Sequence, residues 1–166
     1  SWYRRQRQMC IRDSGYIVVA MDHSYDAALT ILDEDKIIYS ISKLPANDEE
    51  ALQDSMILRV KNQLKIRTED VSFVIDELKI MFEKDKRFSQ VADFDNIGIF
   101  GHSFGGCTSI MSAYNDTRID AVIGLDAYFL PLPKEVIKKD LNTPFVHLGQ
   151  VSWGDSDNYE VMRELG

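Results

Sequence analysis

Ile97-Gly98-Ile99-Phe100-Gly101-His102-Ser103-Phe104-Gly105-Gly106-Cys107-Thr108 decides how this chain is read. Its first four residues form a short apolar run, the pattern of a buried strand. The stretch from Cys107 to Tyr114 reads as helical. Between them stands Gly101-x-Ser103-x-Gly105, a G-x-S-x-G motif. By chance alone, three fixed positions of this kind match in about one chain in 20 of this size. Context gives the motif its weight. It follows a strand and opens a helix, the setting in which a sharp turn lifts a Ser hydroxyl clear of the backbone. Side chains at the flanking glycines, Gly101 and Gly105, are expected to collide with the neighbouring strand and helix, and Gly106 extends the uncrowded stretch.

Outward from this segment, apolar runs alternate with helical periodicity. That points to an α/β protein, a mainly parallel sheet with helices on both faces. Upstream, Tyr16 to Met21 is a continuous apolar run and predicts a central parallel strand. It ends on Asp22-His23-Ser24-Tyr25-Asp26, and polar clusters at strand ends are where ligands sit in such sheets. Residues 1–12 read as a short helix, and Lys36 to Ile41 as a short strand or extended connection. Pro45 and Asn47-Asp48 mark a break. Leu52, Met56, Val60 and Leu64 then recur at helical steps. Thr68 reads as the N-cap of a second helix, with Glu69 and Asp70 in its first turn. Its apolar face is Val71, Val74, Ile75, Leu78, Met81 and Phe82. Downstream, Ile119 to Leu125 is a strand ending at Asp126. Pro131 and Pro133 break the chain, Lys134 to Lys139 is a short helix, and Phe145 to Leu148 is a last strand. No repeat and no linker divides the chain.

The chain has 166 residues, with 19 Lys and Arg against 27 Asp and Glu, a net charge of −8. A pI near 4.8 argues against nucleic acid as a partner, because phosphate binding needs a net basic face. No apolar run approaches the roughly 18 residues of a membrane span. Cys10 and Cys107 are the only cysteines, too few for a disulfide framework or a metal knuckle. They leave the compartment, cytoplasmic or secreted, open. Asn115-Asp116-Thr117 is a glycosylation sequon, meaningful only in a secreted protein. Arg4, Arg5, Arg7 and Arg12 form a basic patch. It reads as a solvated helix face, with peripheral contact to a membrane or lipoprotein surface as the alternative.

Ser103 is the candidate nucleophile. A serine is a poor nucleophile at neutral pH and needs a base within hydrogen-bond reach. The Phe104 amide, at the start of the helix, is a candidate oxyanion donor, aided by the helix dipole. Asp126, at the carboxyl end of the next strand, is the candidate acid, and Asp155 and Asp157 are the runners-up. The base is harder to find. His102 is on the wrong side of the turn. His23 precedes the nucleophile and reads as a substrate-site neighbour or a strand-end residue. His147 lies inside a strand and reads as a satisfied core group.

These segments resemble the platelet-activating factor acetylhydrolase family, the calcium-independent group VII phospholipases A2. The resemblance runs through Gly15 to His23, the Arg67 to Leu78 helix, and Ile97 to Thr108. It continues through Ala121-Val122-Ile123-Gly124-Leu125-Asp126-Ala127-Tyr128 and Pro131-Leu132-Pro133. It departs after His23, where this chain reads Ser24-Tyr25-Asp26. The resemblance implies an α/β-hydrolase fold, with the family's nucleophile on Ser103, its acid on Asp126 and its oxyanion amide on Phe104. It also implies that the second oxyanion donor precedes Ser1 and the catalytic His follows Gly166. Residues 1–166 are therefore expected to be a partial domain, incomplete at both ends and inactive alone. The implied substrate is the short or oxidised sn-2 acyl ester of a phospholipid such as platelet-activating factor, with no metal or cofactor. Two other readings stay open: another α/β-hydrolase carboxylesterase or thioesterase, and a catalytically silent lipid-binding module.

Overall fold

A computed structural model describes residues 9–33, 36–41, 54–138, 141–151 and 157–165. Arg4, Arg5, Arg7, the break from Pro45 to Asp48, Leu52 and Asp155 lie outside the described residues. The chain forms two compact units, Ser1–Lys43 and Leu44–Gly166.

In the first unit, residues 9–13 are helical. Gly15 ends this turn at φ 94°, and its amide donates to the Arg12 carbonyl at 3.0 Å. A left-handed φ there suits a residue without a Cβ. Arg12 forms an exposed ion pair with its neighbour Asp13 at 2.7 Å. Tyr16 to Met21 is not a strand, contrary to its apolar pattern, and Tyr16, Ile17 and Val19 are exposed. Hydrophobicity records only where side chains can go. A strand also needs a neighbour for its amides and carbonyls, and among the described residues this run has no ladder partner. The pairing here is instead a hairpin. Strand β1 (Leu29–Asp33) runs antiparallel to β2 (Lys36–Tyr39), with Thr30 opposite Ile38. Strand β2 is the short strand read from Lys36. Strand β1 is too short for periodicity to separate from a helix.

The second unit opens with α1, one helix over Asp54–Lys84. The two helices read from the sequence are therefore continuous, and Thr68 is not an N-cap. Its hydroxyl donates to the Leu64 carbonyl at 2.8 Å, four residues back within the helix. A Thr can make this bond without breaking a helix, and no Gly or Pro interrupts the segment. The buried residues Met56, Val60, Leu64, Thr68, Val71, Ile75 and Phe82 form one stripe straight through the supposed break.

The sheet follows. Its elements are β3 (Ile97–His102), α2 (Phe104–Asn115), β4 (Ile119–Leu125), α3 (Lys134–Ile137), β5 (Phe145–Leu148) and α4 (Asp157–Arg163). The strand order is β3-β4-β5, and both pairs are parallel. Helix α2 packs on β3 and β4 and against α1. Cys107, Ile110, Val122, Phe129 and Val136 are fully buried in this core. The register partners Phe100, Ile123 and Val146 point to the other face of the sheet, where they are exposed. Arg118 braces the layers. It bonds Asp116 at 2.6 Å, pairs with Asp76 of α1, and leaves Asp116 to accept the Ser72 hydroxyl at 2.9 Å.

Candidate active site

The chain turns sharply after β3. Ser103 sits at φ 55°, ψ −119°, a region sparsely populated by residues other than Gly and costing roughly 1–3 kcal/mol. Hydrogen bonds hold it there. Its amide donates to the Leu125 carbonyl at 2.9 Å, carrying the β3–β4 ladder one residue further. Its carbonyl accepts the amides of Gly106 at 3.0 Å, Cys107 at 3.3 Å and Tyr128 at 3.0 Å.

The glycines divide in a way the motif does not show. A Cβ on Gly101 would stand 2.3 Å from the Gly105 carbonyl carbon and oxygen. A Cβ on Gly106 would stand 2.6 Å from the Cβ of Ala127. A Cβ on Gly105 meets nothing within 4 Å. The steric requirement therefore rests on Gly101 and Gly106, and Gly105 does not share it. The reason is direction: Gly101 faces the first turn of α2 and Gly106 faces the loop after β4.

Phe104 opens α2, and its side chain is buried. The Arg67 guanidinium of α1 lies over its ring, 4.4 Å from the centroid, and the Tyr128 ring meets it edge-on at 6.5 Å. Among the described residues the Phe104 amide makes no hydrogen bond. It remains available to an oxygen at the helix start, where the dipole favours negative charge.

Asp126 leaves β4 as Ser103 leaves β3. His102 is the register partner of Leu125, so the next residue on each strand comes to the same end of the sheet. Asp126 has φ 45°, and its amide donates to the Leu148 carbonyl at 2.8 Å. Its Oδ1 accepts the Gln150 amide at 2.6 Å and the Tyr159 hydroxyl at 3.3 Å. Burial, with the Asp126 charge adding to it, holds the Tyr159 phenol above its ordinary pKa, so it stays protonated and donates.

Two of the histidines lie in the same unit as this pair and neither is hydrogen-bonded to it. His147 Nε2 accepts the Ala127 amide at 3.2 Å. Its ring lies edge-on to Phe129 at 5.1 Å and to Tyr159 at 5.4 Å. Burial pushes its pKa below the ordinary value, against the opposing pull of Asp126. Its Nε2 has a partner, as its place in a strand suggests, but the ring is half-buried rather than part of the core. His102 is exposed, and neither His102 nor His147 bonds Ser103 or Asp126. His23 belongs to the first unit, where its carbonyl accepts the amides of Asp26 and Ala27. Asp157 is exposed at the start of α4.

Two residues of the site carried no sequence signal. Tyr159 is one. The other is Asn158, buried in α4. Its Oδ1 accepts the Phe129 amide at 2.5 Å and the Leu130 amide at 3.3 Å, and its Nδ2 donates to the Ala127 carbonyl at 2.9 Å. These bonds pin the loop behind Asp126. Among the described residues no group of three His, Cys, Asp or Glu is assembled to hold a metal ion, and no helix is long and apolar enough to cross a membrane. A cleft of about 490 Å³ lies between Leu64, Met111 and Pro131, away from Ser103.

A parallel β3-α2-β4 unit, with a left-handed Ser at the strand-to-helix turn and an Asp at the next strand end, defines an α/β-hydrolase fold. A ferulic acid esterase from Streptomyces cinnamoneus is similar, with a TM-score of 0.60 and 24% identity, over 87% of this chain and 37% of that one. The family model for platelet-activating factor acetylhydrolase, isoform II, matches residues 8–166. The chain belongs to the platelet-activating factor acetylhydrolase family. It is 33% identical over 95 residues to the platelet-activating factor acetylhydrolase of Canis lupus familiaris, covering 57% of this chain and 19% of that protein. It is 36% identical over 70 residues to the Bos taurus protein of the same name, covering 42% of this chain and 14% of that one. The chain thus spans less than a fifth of the length of either relative.

Proposed function

We propose that this chain carries the nucleophile and acid of a serine esterase. Its substrate is the short or oxidised sn-2 acyl ester of a phospholipid such as platelet-activating factor. The observation that carries the reading is the backbone of Ser103. A strained φ, held by the Leu125 carbonyl and three amides on the Ser103 carbonyl, is what an exposed nucleophile at a strand-to-helix turn requires. Membership of the family and the names of its relatives support the substrate class.

In this reading the Ser103 hydroxyl attacks the acyl carbonyl and a base takes its proton. The negative oxygen of the tetrahedral intermediate is met by the Phe104 amide. The lysophospholipid leaves with a proton returned by the base, and water then clears the acyl group from Ser103 by the same route. Asp126 orients the base. Neither His102 nor His147 bonds Ser103 or Asp126 among the described residues, and the family resemblance would supply the base from a His after β5. A fluorophosphonate tests the nucleophile in the full-length protein. Labelling is expected on Ser103, and Ser103→Ala is expected to lose both label and turnover. A Ser103→Ala protein of full activity sinks the proposal. Profiling acetyl against long-chain sn-2 esters tests the substrate class separately.

A further inference from the structure

Asp126 is held asymmetrically. Both of its donors, the Gln150 amide and the Tyr159 hydroxyl, bond Oδ1. Oδ2 takes no hydrogen bond among the described residues. The Gln150 bond is to backbone and follows from the course of the chain after β5. The Tyr159 bond is made by a side chain from α4, and the surrounding residues make room for it. A Cβ on Gly149 would stand 2.0 Å from the Tyr159 hydroxyl oxygen and 2.9 Å from its Cζ. Only a residue without a side chain at 149 leaves the slot that this phenol occupies. Asn158, one residue earlier, ties α4 to the loop after Asp126 through bonds to Ala127 and Phe129. The ring itself is buried and packs edge-on to His147.

We propose that Tyr159 is a positioning residue for Asp126: its phenol fixes the rotation of the carboxylate, so that Oδ2 is presented to the base. This rests on the reading of Asp126 as the acid of the site. A carboxylate with both oxygens free rotates about its last bond and presents either one. Two donors on one oxygen remove that freedom before substrate arrives, and catalytic geometry depends on such preorganisation. Among the described residues the phenol makes no hydrogen bond to Ser103. Its effect on the chemistry passes through Asp126 alone.

The test is a set of variants of the full-length protein, with kcat expressed per active site counted by fluorophosphonate titration. Ser103→Ala and Asp126→Asn are expected to lose turnover. Tyr159→Phe keeps the ring on His147 and removes only the hydroxyl. It is expected to lower kcat about tenfold with KM unchanged. Gly149→Ala keeps the phenol but pushes it off Asp126, and it is expected to lower kcat in the same way. A purely structural role would reduce the number of active sites and leave kcat per site intact. If Asp126→Asn is inactive while Tyr159→Phe has the kcat of the parent, Tyr159 only packs and the inference is overturned by itself. Should Tyr159→Phe fail to fold, a folded Gly149→Ala with parental kcat overturns it equally. If Ser103→Ala and Asp126→Asn both retain turnover, the reading of the site falls and takes the role of Tyr159 with it.

Discussion

The methyl of Ala127 occupies the space in front of Gly106, so that a Cβ on Gly106 would lie 2.6 Å from it. That contact, with the approach of Gly101 to the Gly105 carbonyl, makes the turn at Ser103 possible. It also gives a ranking. Gly101→Ala and Gly106→Ala should each destabilise the protein by roughly 1–3 kcal/mol through overpacking. Gly105→Ala adds a better helix former in open space and should be neutral or stabilising by up to about 1 kcal/mol. Urea unfolding of the three variants checks this. A Gly105→Ala as costly as Gly106→Ala would contradict the geometry.

The ranking also shows what a motif can and cannot tell. G-x-S-x-G places the turn correctly, because a strand, a left-handed Ser and a helix cannot meet without small residues nearby. It does not say which glycine carries the steric load, since that depends on Ala127, which reaches Gly106 only once β4 lies beside β3. Asp126 is legible for a similar reason, as the first polar residue after an apolar strand. Tyr159 and Asn158 are not. Their partners lie about thirty residues away along the chain, at Asp126 and from Ala127 to Leu130. A Tyr or Asn in a short helix has no spacing that announces such contacts. The two errors of fold share a cause. The apolar pattern of Tyr16 to Met21 carries no information about a ladder partner, and the residue type of Thr68 none about the Leu64 carbonyl it bonds inside α1.

Asn158 should matter more for stability than its neutral side chain suggests. Asn158→Leu leaves the buried Phe129 amide and Ala127 carbonyl without their partner, and each such loss costs about 1–3 kcal/mol. A total of roughly 2–4 kcal/mol is expected, with faster hydrogen exchange at the Phe129 amide. Exchange at Phe129 unchanged from the parent would show that another group holds the loop.

Asp116 sets an acid limit on the packing of α1 against the β4 entry. The Arg118 guanidinium bonded to it, helped by the Arg118 amide and the Ser72 hydroxyl, lowers its pKa to about 2 despite partial burial. A carboxylate depressed in the folded state contributes stability that is fully present above its unfolded value, about 3.9. That contribution is lost as pH falls through about 2. Exchange at the Ile119 amide, which donates to the Asp116 carbonyl at 3.2 Å, should therefore lose protection between those values. Asp116→Asn should remove the pH dependence in that window. Equal pH dependence in the variant would assign the effect to another carboxylate.

His147 is the residue most easily mistaken for a catalytic base, and two measurements separate the roles. Burial lowers its pKa from the ordinary 6.5, so the folded state favours the neutral ring, whose Nε2 accepts the Ala127 amide. The sign follows from that. Above the unfolded value both states are neutral and the stabilisation is complete; as pH falls below about 6.5 the unfolded chain takes up the proton first and stability declines. An NMR titration of His147 should therefore have its midpoint below 6.5, and His147→Phe should flatten the stability profile near pH 6. The catalytic readout is independent. Loss of the true base of a serine hydrolase costs about 10⁶ in turnover, whereas His147→Phe leaves the buried Ala127 amide without its acceptor and should cost stability of roughly 1–3 kcal/mol. Fluorophosphonate labelling of Ser103, corrected for folded protein, should survive His147→Phe within a few-fold. A loss of several orders of magnitude would make His147 the base and would require its ring to leave the Ala127 amide and swing toward Ser103.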